Sequence, residues 1–222
     1  MSGGAAFRKH SGAAQSVPMK LSLSFEMDTT MSKRSVIVLK AVDDGWLEIE
    51  MIPLQEAEKV VFKLPSESCE PLIDLTDSLL KINALYREDG GLPEQTKGVY
   101  TFWEANPRMY TCAFIPKDQR QIGIELSCCS DMYAGIHTHD DTKLNTDVKL
   151  DILLNNFYEE MKSLLLRYGF TGYYENWGKD FPLSIFLKLH TLVKDNKLIK
   201  HDLYSELEAL QQLAVPEKSQ NH

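Results

Sequence analysis

Two histidines and two aspartates lie close together in one polar segment and could bind a metal ion. His137 and His139 are separated by one residue, so in an extended segment both side chains would project to the same side. A carboxylate from Asp140 or Asp141 would then complete a set of ligands that zinc accepts. The surrounding stretch 130–146 is rich in polar and turn-forming residues, which favours a solvated loop. A metal-dependent hydrolase using His137, His139 and Asp140 is therefore the alternative hypothesis and not the first.

Cysteine offers a second kind of chemistry, attack by a nucleophilic thiolate. Cys112 lies in the middle of a predicted strand, where we expect packing, because Cys is among the most often buried residues. Cys128 and Cys129 end the next predicted strand, so we expect one of them to face outward. The fourth cysteine is Cys69; no pair has CxxC spacing, and a bridge between neighbouring residues would be strained. We therefore expect reduced thiols and a cytoplasmic protein.

Other catalytic signatures are missing from the sequence. It has no GxGxxG pattern, no GKS or GKT phosphate loop and no GxSxG nucleophile motif. His190 and His201 stand alone, and we expect each to be a partly buried histidine with its hydrogen bonds satisfied. The adjacent acids at 43–44, 140–141 and 159–160 fall in turn or helix contexts, where such pairs are usually solvated. We therefore expect no cofactor, and we favour a protein that is not an enzyme over the metal-dependent hydrolase, which stays open as an alternative.

The balance of charge points to a class of partner. Acidic residues outnumber basic ones by 32 to 24, and because the first 18 residues contain only Arg8 and Lys9, the remainder carries 22 − 32 = −10. This surplus opposes nucleic-acid binding, which needs cations against phosphate, and favours encounter with a basic protein surface. No apolar run approaches the ~18 residues needed to cross a bilayer, so we expect no membrane segment. The acidic residues expected to contact a basic protein are Asp43, Asp44, Glu48, Glu50, Asp140 and Asp141.

A cluster of aromatic residues lies between Gly172 and Pro182. Aromatic side chains dominate the energetics of protein interfaces, but they also pack helices onto sheets. We expect Trp177 and Phe181 to pack in the core. Tyr173 and Tyr174 are candidates for either role, and we include them among the predicted binding residues.

The strands expected to position these residues are centred on a meander between Gly98 and Cys129. β-branched and aromatic residues form its strands, and the two gaps carry the turn sequences Asn-Pro and Pro-Lys-Asp. Upstream, apolar runs predict four more strands, with Asp43-Asp44-Gly45 as a hairpin turn. The predicted strands are 21–25, 35–42, 46–52, 59–64, 99–103, 109–115 and 121–127.

Helices are predicted on both sides of the meander. Apolar residues recur at spacings of three and four over 71–86, which predicts one helix before it. After the loop 130–146, a long helix is expected over 147–168 and is ended by Gly169. Pro182 is expected at the first position of a third helix, and 202–213 forms the last.

Strands followed by helices, without βαβ alternation, indicate the α+β class. We predict a mainly antiparallel sheet of about seven strands, with one inserted helix and a C-terminal helical region packed on it. Residues 1–18 are expected to be a disordered extension and 216–222 a frayed tail. Between them, 19–215 is predicted to be a single domain with a sheet-rich part, 19–129, and a helical part, 147–215.

Two stretches carry a resemblance to a known class of proteins. The meander GVYTFWEANPRMYTCAFI and the later segment GYYENWGKDFPLSIFLKL, in an acidic α+β chain, resemble in style and organisation the bacterial immunity proteins that neutralise polymorphic toxins. The resemblance covers about residues 20–195, matches no subfamily and transfers no functional residue. It implies direct, stoichiometric binding to a cognate toxin domain, which would be basic if it attacks nucleic acid.

The first hypothesis is therefore a non-enzymatic protein-binding protein, an inhibitor of a toxin. A second is a structural or regulatory subunit whose aromatic cluster docks a permanent partner. The metal-dependent hydrolase is the third.

Overall fold

The computed structural model of the chain describes residues 36–53, 58–86, 91–93, 96–130, 141–194 and 202–214. These residues form an α+β structure with seven strands and four helices. The strands are β1 (Ile37–Asp43), β2 (Trp46–Met51), β3 (Val60–Pro65), β4 (Val99–Ala105), β5 (Arg108–Lys117), β6 (Gln121–Cys129) and β7 (Asp141–Lys149). The helices are α1 (Pro71–Leu85), α2 (Leu150–Trp177), α3 (Leu183–Val193) and α4 (Leu203–Ala214). No helix in these ranges is long and apolar enough to cross a membrane.

The strands form two antiparallel sheets and not the single sheet that was predicted. The first has the order β1-β2-β3 and the second the order β4-β5-β6-β7. The inserted helix α1 separates β3 from β4 in the chain, and the two strands meet through side chains instead of a hydrogen-bonded ladder. Phe62 of β3 stacks on Trp103 and Tyr110 of the second sheet, with ring centroids 6.0 and 4.8 Å apart. One contiguous hydrophobic core therefore includes residues from both sheets.

The segment before α2 differs from a second prediction, because it contains an additional strand. The segment 141–146, expected to be part of a loop, belongs to β7, and α2 begins at Leu150 and not at residue 147. Along β7 the buried residues Leu144, Thr146 and Val148 alternate with exposed polar ones, as in a strand with one face on the core. The predicted strand at 21–25 lies outside the described residues.

Gly169 ends the regular first part of the long helix α2, as predicted, but a second helical segment follows it directly. Gly169 has φ +64° and a non-helical backbone, and the segment after it ends at Trp177, with Gly178 (φ +82°) as its C-cap. Tyr173 and Trp177 therefore lie one turn apart on the same helical face, and both are buried. The core positions predicted for Trp177 and Phe181 are confirmed. Pro182 precedes α3 as its N-cap and not as its first residue.

Side chains of α2 cover the open edge of β1. Asn156 Oδ1 accepts hydrogen bonds from the backbone N–H groups of both Val36 and Ile37, each at 2.9 Å, and Glu160 Oε2 accepts one from Leu39 at 3.0 Å. An edge strand otherwise presents unpaired backbone groups to other chains. Helix and strand are thus joined by hydrogen bonds to the strand backbone.

The same contact continues toward the C-terminal half of α2. The Tyr168 hydroxyl accepts a hydrogen bond from the Val42 N–H at 3.2 Å, and Arg167 donates to the Lys40 carbonyl. The helix thus follows the length of β1 and fixes the first sheet against the helical part of the chain.

A buried histidine joins α2 to α3. His190 Nδ1 lies 2.9 Å from the Tyr158 hydroxyl, while its Nε2 is buried without a hydrogen-bond partner. Burial lowers the pKa of His190, and the charges of Lys194 and Lys162 lower it further. The neutral imidazole is therefore the form that the folded protein favours.

We expect this histidine to make the fold sensitive to mild acid. Unfolded histidine takes up a proton near pH 6.5, whereas the folded group does so only at lower pH, so the free energy of unfolding falls as the pH drops below about 6.5. Urea unfolding at about pH 7.5 and about pH 5.5 measures this loss. The His190→Gln variant should lose less stability over that interval, and an equal loss in both proteins would contradict the assignment.

Candidate protein-binding groove

The β1–β2 hairpin places the first group of predicted acidic residues. Asp44 and Gly45 form its two-residue turn, with φ of +46° and +76°, as a type I′ turn requires. Asp43 pairs with Trp46 across this turn. The Gly45 N–H donates to the Asn176 carbonyl at 2.7 Å, and the Ser66 N–H donates to the Gly45 carbonyl at 2.8 Å. The turn is therefore fixed on both sides, and its aspartates are held in place.

Two neighbouring clefts open beside this turn, and we call them together the Trp46 groove. The first has a volume of about 440 Å³, and the second about 480 Å³. Trp46 and Lys63 line both clefts, so the Trp46 ring lies between them. Trp46 is 43% exposed. The other lining residues are Ala41, Asp43, Asp44 and Glu48 in the first cleft, and Val61, Phe62, 105–108 and Tyr110 in the second.

The first cleft is acidic. Asp43 and Asp44 are exposed, and neither forms an ion pair with any described residue. Glu48 is half-buried and lies opposite Lys63, with Oε2 and Nζ 3.2 Å apart. The first cleft is therefore lined by three carboxylates and one cation, which makes the surface around Trp46 negative.

Glu50 is separated from this surface. The residue is 5% exposed, and its carboxylate oxygen Oε2 lies 3.2 Å from the ammonium groups of both Lys40 and Lys59. Burial opposes its ionisation, but hydrogen bonds and charges from Lys59 and Lys40 outweigh burial and hold the pKa of Glu50 below its usual value. Glu50 therefore joins three segments of the first sheet and is not available to a partner.

The two predicted binding tyrosines have different environments. Tyr173 is buried and packs edge-on against Phe181, with ring centroids 5.3 Å apart, and burial raises the pKa of its hydroxyl. Tyr174, the next residue, is 53% exposed. It lies two residues before Asn176, which binds the hairpin turn, so Tyr174 is close in the chain to the acidic end of the groove. Tyr174 remains a candidate contact residue, and Tyr173 is a core residue.

Asp141, another of the predicted acids, belongs to the second sheet. Asp141 is exposed at the start of β7 and lies 3.2 Å from Lys143. Asp141 pairs with Cys128 of β6, and Cys128 pairs with Tyr110 of β5. Asp141 and Tyr110 are therefore two strands apart, which is roughly 10 Å across the second sheet. Asp140 lies outside the described residues.

The metal hypothesis concerns residues that are not described. His137, His139 and Asp140 all lie outside the described ranges, so their predicted ligand set stays a prediction. Within the described ranges no three His, Cys, Asp or Glu side chains come together as a metal site requires.

The cysteines are free and buried. Burial raises the pKa of Cys112 to about 12, as expected of a packed thiol and opposite to the activation that a nucleophile needs. The prediction that Cys128 or Cys129 faces outward is wrong. These consecutive residues lie on opposite faces of β6, and both faces are covered at this end of the strand.

Trp46, which lies in the middle of the groove, was not among the predicted binding residues. Its signal in the sequence was a tryptophan at a hairpin turn, outside the apolar alternation of Leu47 and Ile49. The sequence could not show that β3 and the β4–β5 turn would complete a cleft beside it. Arg108, at the far end of the groove, was missed for the same reason.

Comparison of the chain with protein-family models, with curated proteins and with solved structures finds no match in any of the three.

Proposed function

We propose that this chain is a non-enzymatic protein-binding protein and that the Trp46 groove receives a basic protein partner. The observation that carries the proposal is an exposed tryptophan between two clefts, beside two aspartates without ion pairs among the described residues. A tryptophan anchor supplies affinity when a partner covers it. Exposed carboxylates around it raise the rate of encounter with a cationic surface and select against acidic proteins.

A narrower proposal is that the partner is a toxin and that binding neutralises it. Its support is the net charge of −8 together with the resemblance to immunity proteins. A toxin domain that cleaves nucleic acid needs a basic cleft. The acidic first cleft of the Trp46 groove, with its aromatic anchor, would cover such a cleft and exclude its substrate. Four free cysteines support a cytoplasmic location for this inhibitor.

A second candidate is a permanent subunit of a larger complex. It is favoured by three exposed apolar side chains in the C-terminal half of α2, namely Leu166, Phe170 and Tyr174. Interfaces of permanent complexes are larger and more apolar than those of transient ones. In that case the partner should contact α2 and not the groove.

Site-specific photo-crosslinking distinguishes the two surfaces. A Trp46→p-benzoylphenylalanine variant, irradiated in the cells that produce the protein, should form an adduct with one basic protein identified by mass spectrometry. The matched control places the same crosslinker at Leu166, which is also an exposed apolar position. We expect the adduct from position 46 to be lost when Asp43→Lys and Asp44→Lys are added.

Two outcomes would reject the groove as the binding surface. One is an adduct from position 166 with none from position 46, which would favour the permanent-subunit proposal. The other is an adduct from position 46 that persists unchanged in the charge-reversed protein.

A further inference from the structure

The edges of the two sheets are protected to different degrees. The edge of β1 is covered by hydrogen bonds from α2, as described above. The edge strand β3 carries Lys63 and ends at Pro65, and β7 carries two aspartates and two lysines over nine residues. Lysine, proline and alternating charge are the usual means of preventing one sheet edge from pairing with another.

The edge of β4 lacks these features. From Val99 to Trp103 it contains no charged residue and no proline, and it pairs with β5 without a register shift. Tyr100 and Phe102 project from the outer face of this strand and are 56% and 61% exposed. Exposed aromatic residues on an open edge strand are the combination that favours strand pairing between chains.

The backbone of β4 is oriented for such pairing. The Glu104 carbonyl accepts hydrogen bonds from Ser68 Oγ at 2.7 Å and Cys69 Sγ at 3.2 Å, so Glu104 points its backbone groups away from β5. In an antiparallel strand alternate residues direct their N–H and C=O to the same side. Tyr100 and Phe102 therefore also point theirs away from β5, and no described residue outside the sheet bonds to them.

We propose that β4 pairs antiparallel with β4 of a second copy of this chain, with Tyr100 of each copy opposite Phe102 of the other. The two four-stranded sheets would join into one sheet of eight strands. Four hydrogen bonds link the backbone groups of Tyr100 and Phe102 across the two-fold axis. The two aromatic pairs stack side by side on the outer face, where cross-strand aromatic pairs stabilise a sheet.

The charges that flank the edge favour a second copy in this orientation. Lys97 precedes the neutral stretch and Glu104 follows it. Antiparallel pairing brings the lysine end of each strand beside the glutamate end of the other, whereas parallel pairing would place like charges together. The new pairing is confined to the stretch from Val99 to Trp103, because Ser68 and Cys69 already bond to the outward carbonyl of Glu104. The contact is isologous, so it closes at a dimer and does not propagate.

Sedimentation velocity of the full chain tests this assembly. From micromolar to submillimolar concentration, the weight-average mass should rise from 25.3 kDa toward twice that value. A Phe102→Lys variant places two cations beside the two-fold axis and should weaken the dimer by at least about tenfold. A Leu166→Lys variant, at a position 58% exposed on α2, should dimerise like the wild-type protein.

Disulfide trapping tests the register. All native cysteines are buried, so Tyr100→Cys and Phe102→Cys variants each present one accessible thiol. Diamide oxidises two thiols to a disulfide and takes up the two hydrogens that they lose. After this treatment, an equal mixture of the two variants should give more covalent dimer than either variant alone. A monomer at every concentration, a dimer unaffected by Phe102→Lys, or equal trapping in all three samples would overturn the proposal.

Discussion

Replacing Asn156 with alanine is expected to lower the free energy of unfolding by about 3 kcal/mol. The Asn156 side chain accepts hydrogen bonds from two backbone donors at the start of β1, Val36 and Ile37, and both of these residues are buried. Alanine would leave both N–H groups, which belong to buried residues, without this acceptor. A buried donor without a partner costs more than the net gain from an ordinary hydrogen bond.

Urea unfolding measures this loss, and the adjacent residue supplies the control. Asn155 is exposed on the same helix, so Asn155→Ala makes the same chemical change at nearly the same helical position. We expect it to alter stability by no more than about 0.5 kcal/mol. If the two variants were equally stable, the hydrogen bonds between α2 and the edge of β1 would not hold the first sheet in place.

Replacing Trp177 with alanine is expected to cost about 4 kcal/mol, the largest effect of any single substitution proposed for this chain. The Trp177 side chain is fully buried at the C-terminal end of α2, one turn after Tyr173. This end of the helix is joined to two other segments. Asn176 accepts the hydrogen bond from the Gly45 turn, and Lys179 lies 2.7 Å from Glu70 at the start of α1. A cavity at Trp177 would therefore loosen the support of the β1–β2 turn.

Tyr174→Ala is the matched control for this second prediction. It removes an aromatic ring from the same turn of helix, but from its exposed side, and should change stability by about 0.5 kcal/mol or less. Thermal and urea unfolding of the two variants should therefore differ clearly. Equal losses from both would mean that Tyr174 is also part of the core.

Local features of the sequence were sufficient for much of the fold. The three strands of the meander, the Asp43-Asp44-Gly45 turn and the helix starting at Pro71 all occur where predicted, with ends shifted by a few residues. Each depends on residues close in the chain: alternating apolar side chains, a turn that needs positive φ, or a leucine stripe. These signals do not depend on what packs against the element.

Interactions between distant residues could not be predicted in the same way. The two sheets pack on each other through Phe62, which stacks on Trp103 and Tyr110, both more than forty residues later in the chain. The sequence could not show that Tyr173 is buried and Tyr174 exposed, because this difference depends on whether the helix resumes after Gly169. Glu50 looked like a surface acid because Lys40 and Lys59, which enclose it, lie on neighbouring segments of the first sheet.

The most direct test of the groove is the rate at which it associates with the basic protein recovered by crosslinking at position 46. Stopped-flow measurements at low and physiological ionic strength would compare two variants with the same net charge. Asp43→Lys/Asp44→Lys alters the groove, whereas Asp118→Lys/Glu125→Lys alters exposed acids of the second sheet, and each changes the net charge from −8 to −8 + 4 = −4. We expect the groove variant to associate about tenfold more slowly than wild type, with most of the salt dependence lost. The control should keep both the rate and the salt dependence. Equal rates in the two variants would contradict a binding role for the acidic groove beside Trp46.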